Sequence, residues 1–344
     1  MTSELPHTEA PIWTSEFVGD KLGIRSGHSR IQPLSDGTLL LLNTHPGRRS
    51  KAFRIGLSTK AVRKMNLPGN PQCWAVPAPP DRVLLGHPGA DHCVLWNPIT
   101  GDADPISANL PPGFTVCSDS IDSQLVIIVN WNASGASAGF DWSNDDTCLA
   151  VFDLENEQFI EPFHAVEDND LRAIVMQDDE LFMGFGYGRS NDFVSLFDKK
   201  LKRPLTGREH WSTFRMSHFL QAAFVGTDTD KAMVMFGSKG NSEERALMRW
   251  TLAAKQFETV GTIANTDLFF QCATPLRDGS ILLFFWERFS PNIHLYRYAI
   301  EEPLRCIGRL MGAKITCAGQ ASDGQIYVAG GDDVHIIAPP PRGS

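Results

Sequence analysis

Arg277-Asp278-Gly279-Ser280-Ile281-Leu282-Leu283-Phe284-Phe285-Trp286 reads as a tight turn feeding an apolar strand. Asp-Gly between apolar runs is the strongest short-range hairpin signal, because glycine accepts the left-handed backbone that such a turn requires. The phrase recurs as Ser35-Asp36-Gly37 and Ser322-Asp323-Gly324, and aspartates with similar flanks stand at Asp81, Asp122, Asp178 and Asp228. Steps of 45, 41, 56, 50, 50 and 45 residues separate the seven aspartates. A period of this size is the mark of a repeat architecture and sets the frame for all other readings.

A second mark falls once inside each interval. An apolar, usually aromatic, residue ends a strand before a polar turn at Ile55, Trp96, Phe152, Phe197, Trp250, Tyr298 and Ile337, as in Trp96-Asn97-Pro98-Ile99-Thr100-Gly101. Two hairpins per repeat predict four strands per repeat, and in this the chain resembles the blades of β-propellers. The expected fold is all-β: a seven-bladed β-propeller forming one domain over 1–344, with blades near 24–69, 70–113, 114–168, 169–212, 213–265, 266–312 and 313–338 plus 12–19.

The last blade needs its outer strand from elsewhere, since the chain ends after a third strand near Val334 to Ala338. Fourth strands carry Val260-Gly261-Thr262-Ile263 and Ile307-Gly308-Arg309-Leu310, and a similar phrase, Val18-Gly19-Asp20-Lys21, stands near the start. Ile12 to Val18 is therefore expected to close the ring, which removes an open sheet edge. Two sandwich domains are the rival architecture, and the even spacing speaks against them. No window keeps a helical apolar period without a Gly, Pro or Asp break.

Composition limits the function. With 42% hydrophobic and 21% charged residues the chain falls among ordinary globular proteins, and a net charge of -9 argues against nucleic acid and anionic membranes as partners. The stretch Met1 to Pro11 has no apolar core, and Ile281 to Trp286 is far short of the ~20 residues that span a bilayer. The expectation is a cytoplasmic protein. Seven cysteines scattered without a C-x-x-C pair read as reduced thiols, with Cys73, Cys117, Cys272 and Cys317 as small inner-strand residues.

The resemblance to propellers implies sidedness and transfers no catalytic residue. Loops joining second to third strands share one rim, here the top. The distance from each aspartate to its third-strand mark is 19, 15, 30, 19, 22, 20 and 14 residues, so the third repeat holds an insertion containing Trp131 and Trp142. Such a loop is more often functional than decorative, although a flexible insertion is the plain alternative. The top also collects His45 and His87 in Thr44-His45-Pro46-Gly47 and Gly86-His87-Pro88-Gly89, with Tyr187, Arg189, Trp286, Glu287, Arg288, Asp332 and Asp333. Trp74 and Trp211 bring the tryptophans there to five of eight. His28 and His218 enter inner strands and either line the channel or sit as satisfied core histidines.

Two function classes fit. The first is a cofactor-independent acid–base enzyme (a lyase, isomerase, cyclase or hydrolase) acting on a small, partly apolar molecule in the top funnel. In it His45 and His87 serve as base and acid, Glu287 as orienting carboxylate, Arg288 or Arg189 as anion holder, and Trp131, Trp142, Tyr187 and Trp286 as the wall, with His28, His218 and Trp74 contributing to binding. The second is a non-catalytic binding module, a scaffold for a protein or a lectin-like sugar binder, in which the twin His-Pro-Gly phrases are merely repeated turns. Loops that differ strongly from repeat to repeat favour one central site over a multivalent lectin. A metal held by His45, His87, Asp91 and His92 matches no standard zinc spacing, and calcium at Asp145, Asp146, Asp332 and Asp333 lacks the usual loop, so no metal is expected. No phosphate-binding loop is present, since Gly184 to Gly188 does not open a helix.

Overall fold

The computed structural model describes residues 10–19, 22–24, 28–44, 49–69, 73–78, 80–86, 92–107, 114–121, 124–131, 146–166, 170–176, 181–187, 192–198, 203–204, 209–211, 214–216, 223–225, 232–239, 245–250, 257–263, 267–300, 302–312 and 314–339. Between 111 and 245 it describes side chains only at Leu125, 150–160 and Val234. Among the described residues all regular structure is β, gathered into seven antiparallel sheets.

Sheet one runs His28–Pro33, Thr38–Thr44, Lys51–Gly56 and Val62–Met65; sheet two runs Trp74–Ala78, Arg82–Gly86, His92–Trp96 and Ala103–Ser107. Sheet three is Phe114–Ile121, Gln124–Trp131, Asp146–Asp153 and Gln158–Val166. Sheet four takes Asp170–Met176, Leu181–Tyr187, Asp192–Asp198, Arg203–Pro204 and Glu209–Trp211, and sheet five takes Phe214–Met216, Ala223–Val225, Ala232–Lys239, Arg245–Trp250 and Phe257–Ile263. Sheet six is Leu268–Pro275, Ile281–Glu287, Asn292–Ala299 and Glu302–Met311. Sheet seven joins Cys317–Gln320, Ile326–Gly330 and Asp333–Ala338 to the distant Thr14–Gly19, with Thr14 opposite Ala338 and Phe17 opposite His335. Each sheet touches the next in chain order, and His28–Pro33 of sheet one lies against Cys317–Gln320 of sheet seven.

Burial explains the composition of the strands. In Ile281–Glu287 the first five residues are all buried, and Ile326–Gly330 is buried throughout, because neighbouring sheets cover both faces. A strand covered twice reads as a continuous apolar run. Outer strands such as Ala103–Ser107 and Thr14–Gly19 face water along most of their length and carry Asp, Pro, Ser and Glu. The cores lie between sheets: Cys272, Phe284, Leu295 and Leu310 of sheet six pack with Ile326, Val328 and Ile337 of sheet seven.

The aspartate turns share one geometry. In sheet one the Leu34 amide donates to the Thr38 carbonyl at 2.8 Å and the Asp36 carboxylate accepts the Thr38 amide at 3.1 Å; sheet six repeats this with Leu276 to Ser280 at 2.8 Å and Ser280 to Asp278 at 2.9 Å. Gly37, Gly279 and Gly324 take φ of 75°, 78° and 85°, the left-handed position of a three-residue hairpin loop. An arginine one residue before the third-strand mark clamps the aspartate: Arg54 pairs with Asp36, and Arg297 with Asp278 at 3.0 Å. The turns are also stitched across sheets, since Asp81 accepts the Ser35 amide at 2.6 Å and Arg277 donates to the Ser322 carbonyl at 2.7 Å.

The Val-Gly and Ile-Gly phrases acquire a mechanical meaning. A Cβ on Gly261 would lie 2.4 Å from Leu304, one on Gly308 would lie 2.1 Å from Trp13, and one on Gly19 would lie 2.6 Å from Val62. The outer strands of sheets five, six and seven thus each offer a glycine notch to a side chain at the outer edge of the following sheet. Thr14–Gly19 and the residues just before it serve as both partners, supplying Trp13 to sheet six and receiving Val62 of sheet one. Trp13 is further fixed by its amide, which donates to the Arg309 carbonyl at 2.8 Å, and by its indole N–H, which donates to the Ile307 carbonyl at 3.2 Å.

Candidate functional site

The described part of the site is the turn that ends Ile281–Glu287. Leu268 pairs with Glu287 and Phe269 with Trp286, and the Arg288 amide donates to the Asp267 carbonyl at 2.8 Å, so the ladder runs one step beyond the strand. Successive side chains alternate between faces of a strand. Trp286 therefore takes one face and Glu287 the other, and Arg288 enters the turn. The sequence grouped Trp286, Glu287 and Arg288 on one rim, and the strand turns Trp286 and Glu287 to opposite faces.

On its own face Glu287 is committed to local partners. Its carboxylate accepts Asn292 Nδ2 at 3.1 Å and lies 3.4 Å from Nε2 of the buried His294. Burial alone would push its pKa up, but hydrogen bonds from Asn292, Ser290 and His294 outweigh that and hold the carboxyl below the ordinary glutamate range. Glu287 is an anion at neutral pH that braces the turn from beneath.

The other face is open and stiff. Trp286 is 39% exposed, yet its indole N–H donates to the Ser290 carbonyl at 3.1 Å and its ring packs on Phe269 with centroids 5.8 Å apart. Arg288 lays its guanidinium 4.8 Å from the centre of the Phe289 ring, and it makes no ion pair among the described residues. Phe289 is 89% exposed with φ of 64°. The Ser290 amide closes this turn on the Glu287 carbonyl at 3.2 Å, so Phe289 occupies the place where glycine is usual. A bulky residue with that backbone and that exposure is disfavoured twice over. Phe289, Asn292 and His294 escaped the sequence reading: the turn has no glycine to announce a left-handed residue, and the others sit inside a strand-like run.

The remaining site residues are placed as follows. Trp74 is 4% exposed, stacked over Gly86, where a Cβ would lie 2.0 Å from its ring, and it packs with Leu125 and Phe152 of sheet three. It is a core residue between sheets two and three, which corrects its expected part in binding at the rim. His28 starts the strand His28–Pro33 of sheet one opposite Thr44, Trp131 ends a strand opposite Asp146, and Tyr187 pairs with Asp192; their side chains lie outside the described residues. His45, His87, Trp142, Arg189 and His218 also lie outside them. His92 is exposed opposite Ser107, and Asp332 accepts the Gly23 amide at 2.9 Å, so one acid of the imagined calcium set serves the N-terminal segment. Cys73, Cys93, Cys272 and Cys317 form no disulfide, and burial pushes Cys73 to about 11, Cys93 and Cys317 to about 12 and Cys272 well above its ordinary value, which makes these four inert thiols.

No protein-family model and no curated protein matches the sequence. Solved structures do resemble it. An oligogalacturonate lyase from Vibrio parahaemolyticus is 12% identical with a TM-score of 0.64, covering 97% of this chain and 98% of its own. A streptogramin B lyase is 10% identical with a TM-score of 0.61 (95% and 98% covered), and the RRP9 WD40 repeats are 11% identical with a TM-score of 0.60 (96% and 99% covered). The chain has the fold of a β-propeller. These neighbours include lyases and WD40 repeats, so the likeness fixes the fold and leaves the activity to the site.

Proposed function

We propose that the seven sheets are the blades of one closed ring, with Thr14–Gly19 as the outer strand of the seventh, and that the ring is an acid–base enzyme acting on a small, partly apolar molecule at the rim where second strands end. The knob-and-notch pairs at Gly261, Gly308 and Gly19 support closure, because the junctions made by the N-terminal strand are of the same kind as the one between sheets five and six. The observation that carries the functional reading is the turn of sheet six: a braced Trp286 and an Arg288 without an ion pair among the described residues offer an apolar surface and a cation on the same turn. Glu287 acts in this reading as a positioning group, not as the acid, since it is ionised and faces its own sheet.

His45 and His87 carry the proton transfers. In an elimination, the reaction class named for the two lyase neighbours, one imidazole takes the proton from the carbon next to a carbonyl or carboxylate. That electron pair forms the new double bond as the bond from the adjacent carbon to oxygen breaks, and the second imidazole gives its proton to the departing oxygen. The test is turnover and melting temperature on His45→Gln and His87→Gln, with product followed by the ultraviolet absorbance of a conjugated double bond in a panel of uronate oligomers and cyclic depsipeptides. Loss of about 10²- to 10⁴-fold in turnover at unchanged melting temperature is expected. Lowered melting with intact activity would make them turn residues and end the proposal. A binding module is the second reading, favoured by the exposure of Phe289.

A further inference from the structure

We infer that the turn Trp286–Phe289 is a recognition platform for an acidic sugar, a pyranose ring bearing a carboxylate; this rests on the rim reading above and deepens it. Three features converge. The indole of Trp286 is immobilised on two sides, by the Ser290 carbonyl at 3.1 Å and by Phe269 at 5.8 Å, while over a third of the residue stays exposed. A ring fixed in advance loses little conformational entropy when something stacks on it. The guanidinium of Arg288 is held by the Phe289 ring, 4.8 Å from its centre, and it makes no ion pair among the described residues. Its planar fork is suited to bidentate carboxylate contacts. The nearest carboxylate in sequence, Glu287, is engaged by Asn292 and His294 and makes no ion pair with Arg288, which leaves the guanidinium to an incoming anion.

The openness of the platform selects a sugar over a flat aromatic acid. An aromatic acid gains most when both faces leave water, whereas a pyranose stacks its C–H face and keeps its hydroxyls hydrated. Phe289 at φ 64° has the strain expected of a residue held for contact instead of for stability.

The experiment is calorimetric titration of the full chain with trigalacturonate, with its neutral counterpart galactotriose, and with benzoate. The acidic trimer is expected to bind at least tenfold tighter than the neutral one. Trp286→Ala should weaken both sugars by about tenfold, and Arg288→Gln should remove the preference for the acid while leaving galactotriose unchanged. Equal affinity for the two sugars, benzoate binding as well as trigalacturonate, absence of binding, or indifference to both variants would overturn the inference. The His45→Gln and His87→Gln proteins should bind normally, so a failure of the catalytic reading shows as binding without turnover, and a failure of the platform as turnover without acid preference.

Discussion

Phe289 sits at φ 64° with almost its whole surface in water. Left-handed backbone costs a side chain with a Cβ roughly 1–2 kcal/mol. Phe289→Gly should therefore raise the melting temperature by about 1–2 °C, with a gain of about 1 kcal/mol, while weakening the hold on Arg288 and any ligand it serves. Thermal melts beside titrations check both halves; a destabilised variant would show that the ring is held by its own fold. Gly308 is the reverse case. A Cβ there would stand 2.1 Å from Trp13, so Gly308→Ala must eject the indole or push apart two sheets. A loss of about 1–3 kcal/mol is expected, the usual range for overpacking, and most of it should vanish in the background of Trp13→Ala. Additive losses in the double variant would refute the notch.

At the scale of elements, the aspartate turns govern response to acid. Buried enough to raise its pKa by desolvation alone, Asp278 is nonetheless held below its ordinary value by Ser280 and Arg297, and Asp153 is lowered by Asn156 and the Glu155 amide. A carboxylate depressed in the folded state contributes stability above its unfolded pKa, about 4, and that contribution is lost as pH falls through the folded value. Stability should decline below about pH 4, and Asp278→Asn should flatten the decline while lowering stability at neutral pH. Denaturant melts from pH 7 to 2.5 measure this, and parallel curves for the two proteins would exclude Asp278. The N-terminal strand makes a stronger prediction: deletion of Met1 to Gly23 strips Asp333–Ala338 of its partner and sheet six of Trp13, and should lower the melting temperature sharply. Replacing Ala133 to Gly139 by a short Gly-Ser link should leave the melt intact, since loop closure entropy changes slowly with length.

Over the whole molecule, what the sequence revealed and what it hid divide on physical lines. The hairpins at Asp36, Asp278 and Asp323 were legible because a left-handed glycine beside an aspartate is a local requirement, written in adjacent residues. The partnership of the first strand with Asp333–Ala338 was legible through the missing fourth strand of the last repeat and through Val18-Gly19, whose notch resembles those at Gly261 and Gly308. The candidate site was less so. Trp286, Glu287 and Arg288 look like one cluster when read along the chain, and strand alternation parts them. Trp74 looked like a rim residue by position, yet the missing side chain at Gly86 across the ladder draws it inward. Phe289 gave no signal at all, because its backbone is imposed by the turn around it and not by its own preference.

The double role of the first strand also bears on where this chain needs to begin. Thr14 lies opposite Ala338, so the two ends of the described chain run side by side on sheet seven. If the strand docks as one more knob and one more notch, its covalent attachment to Leu22 and Ile24 matters less than its neighbours. A circular permutant that starts at Ile24, runs to Pro339, and re-enters Ala10 to Gly23 through a flexible link should then adopt the same sheets. Its last sheet would assemble from consecutive strands, so a contact spanning more than three hundred residues becomes local. Lower contact order predicts faster folding, and stopped-flow refolding of the permutant beside the parent would show whether joining the ends is the slow step for the native order.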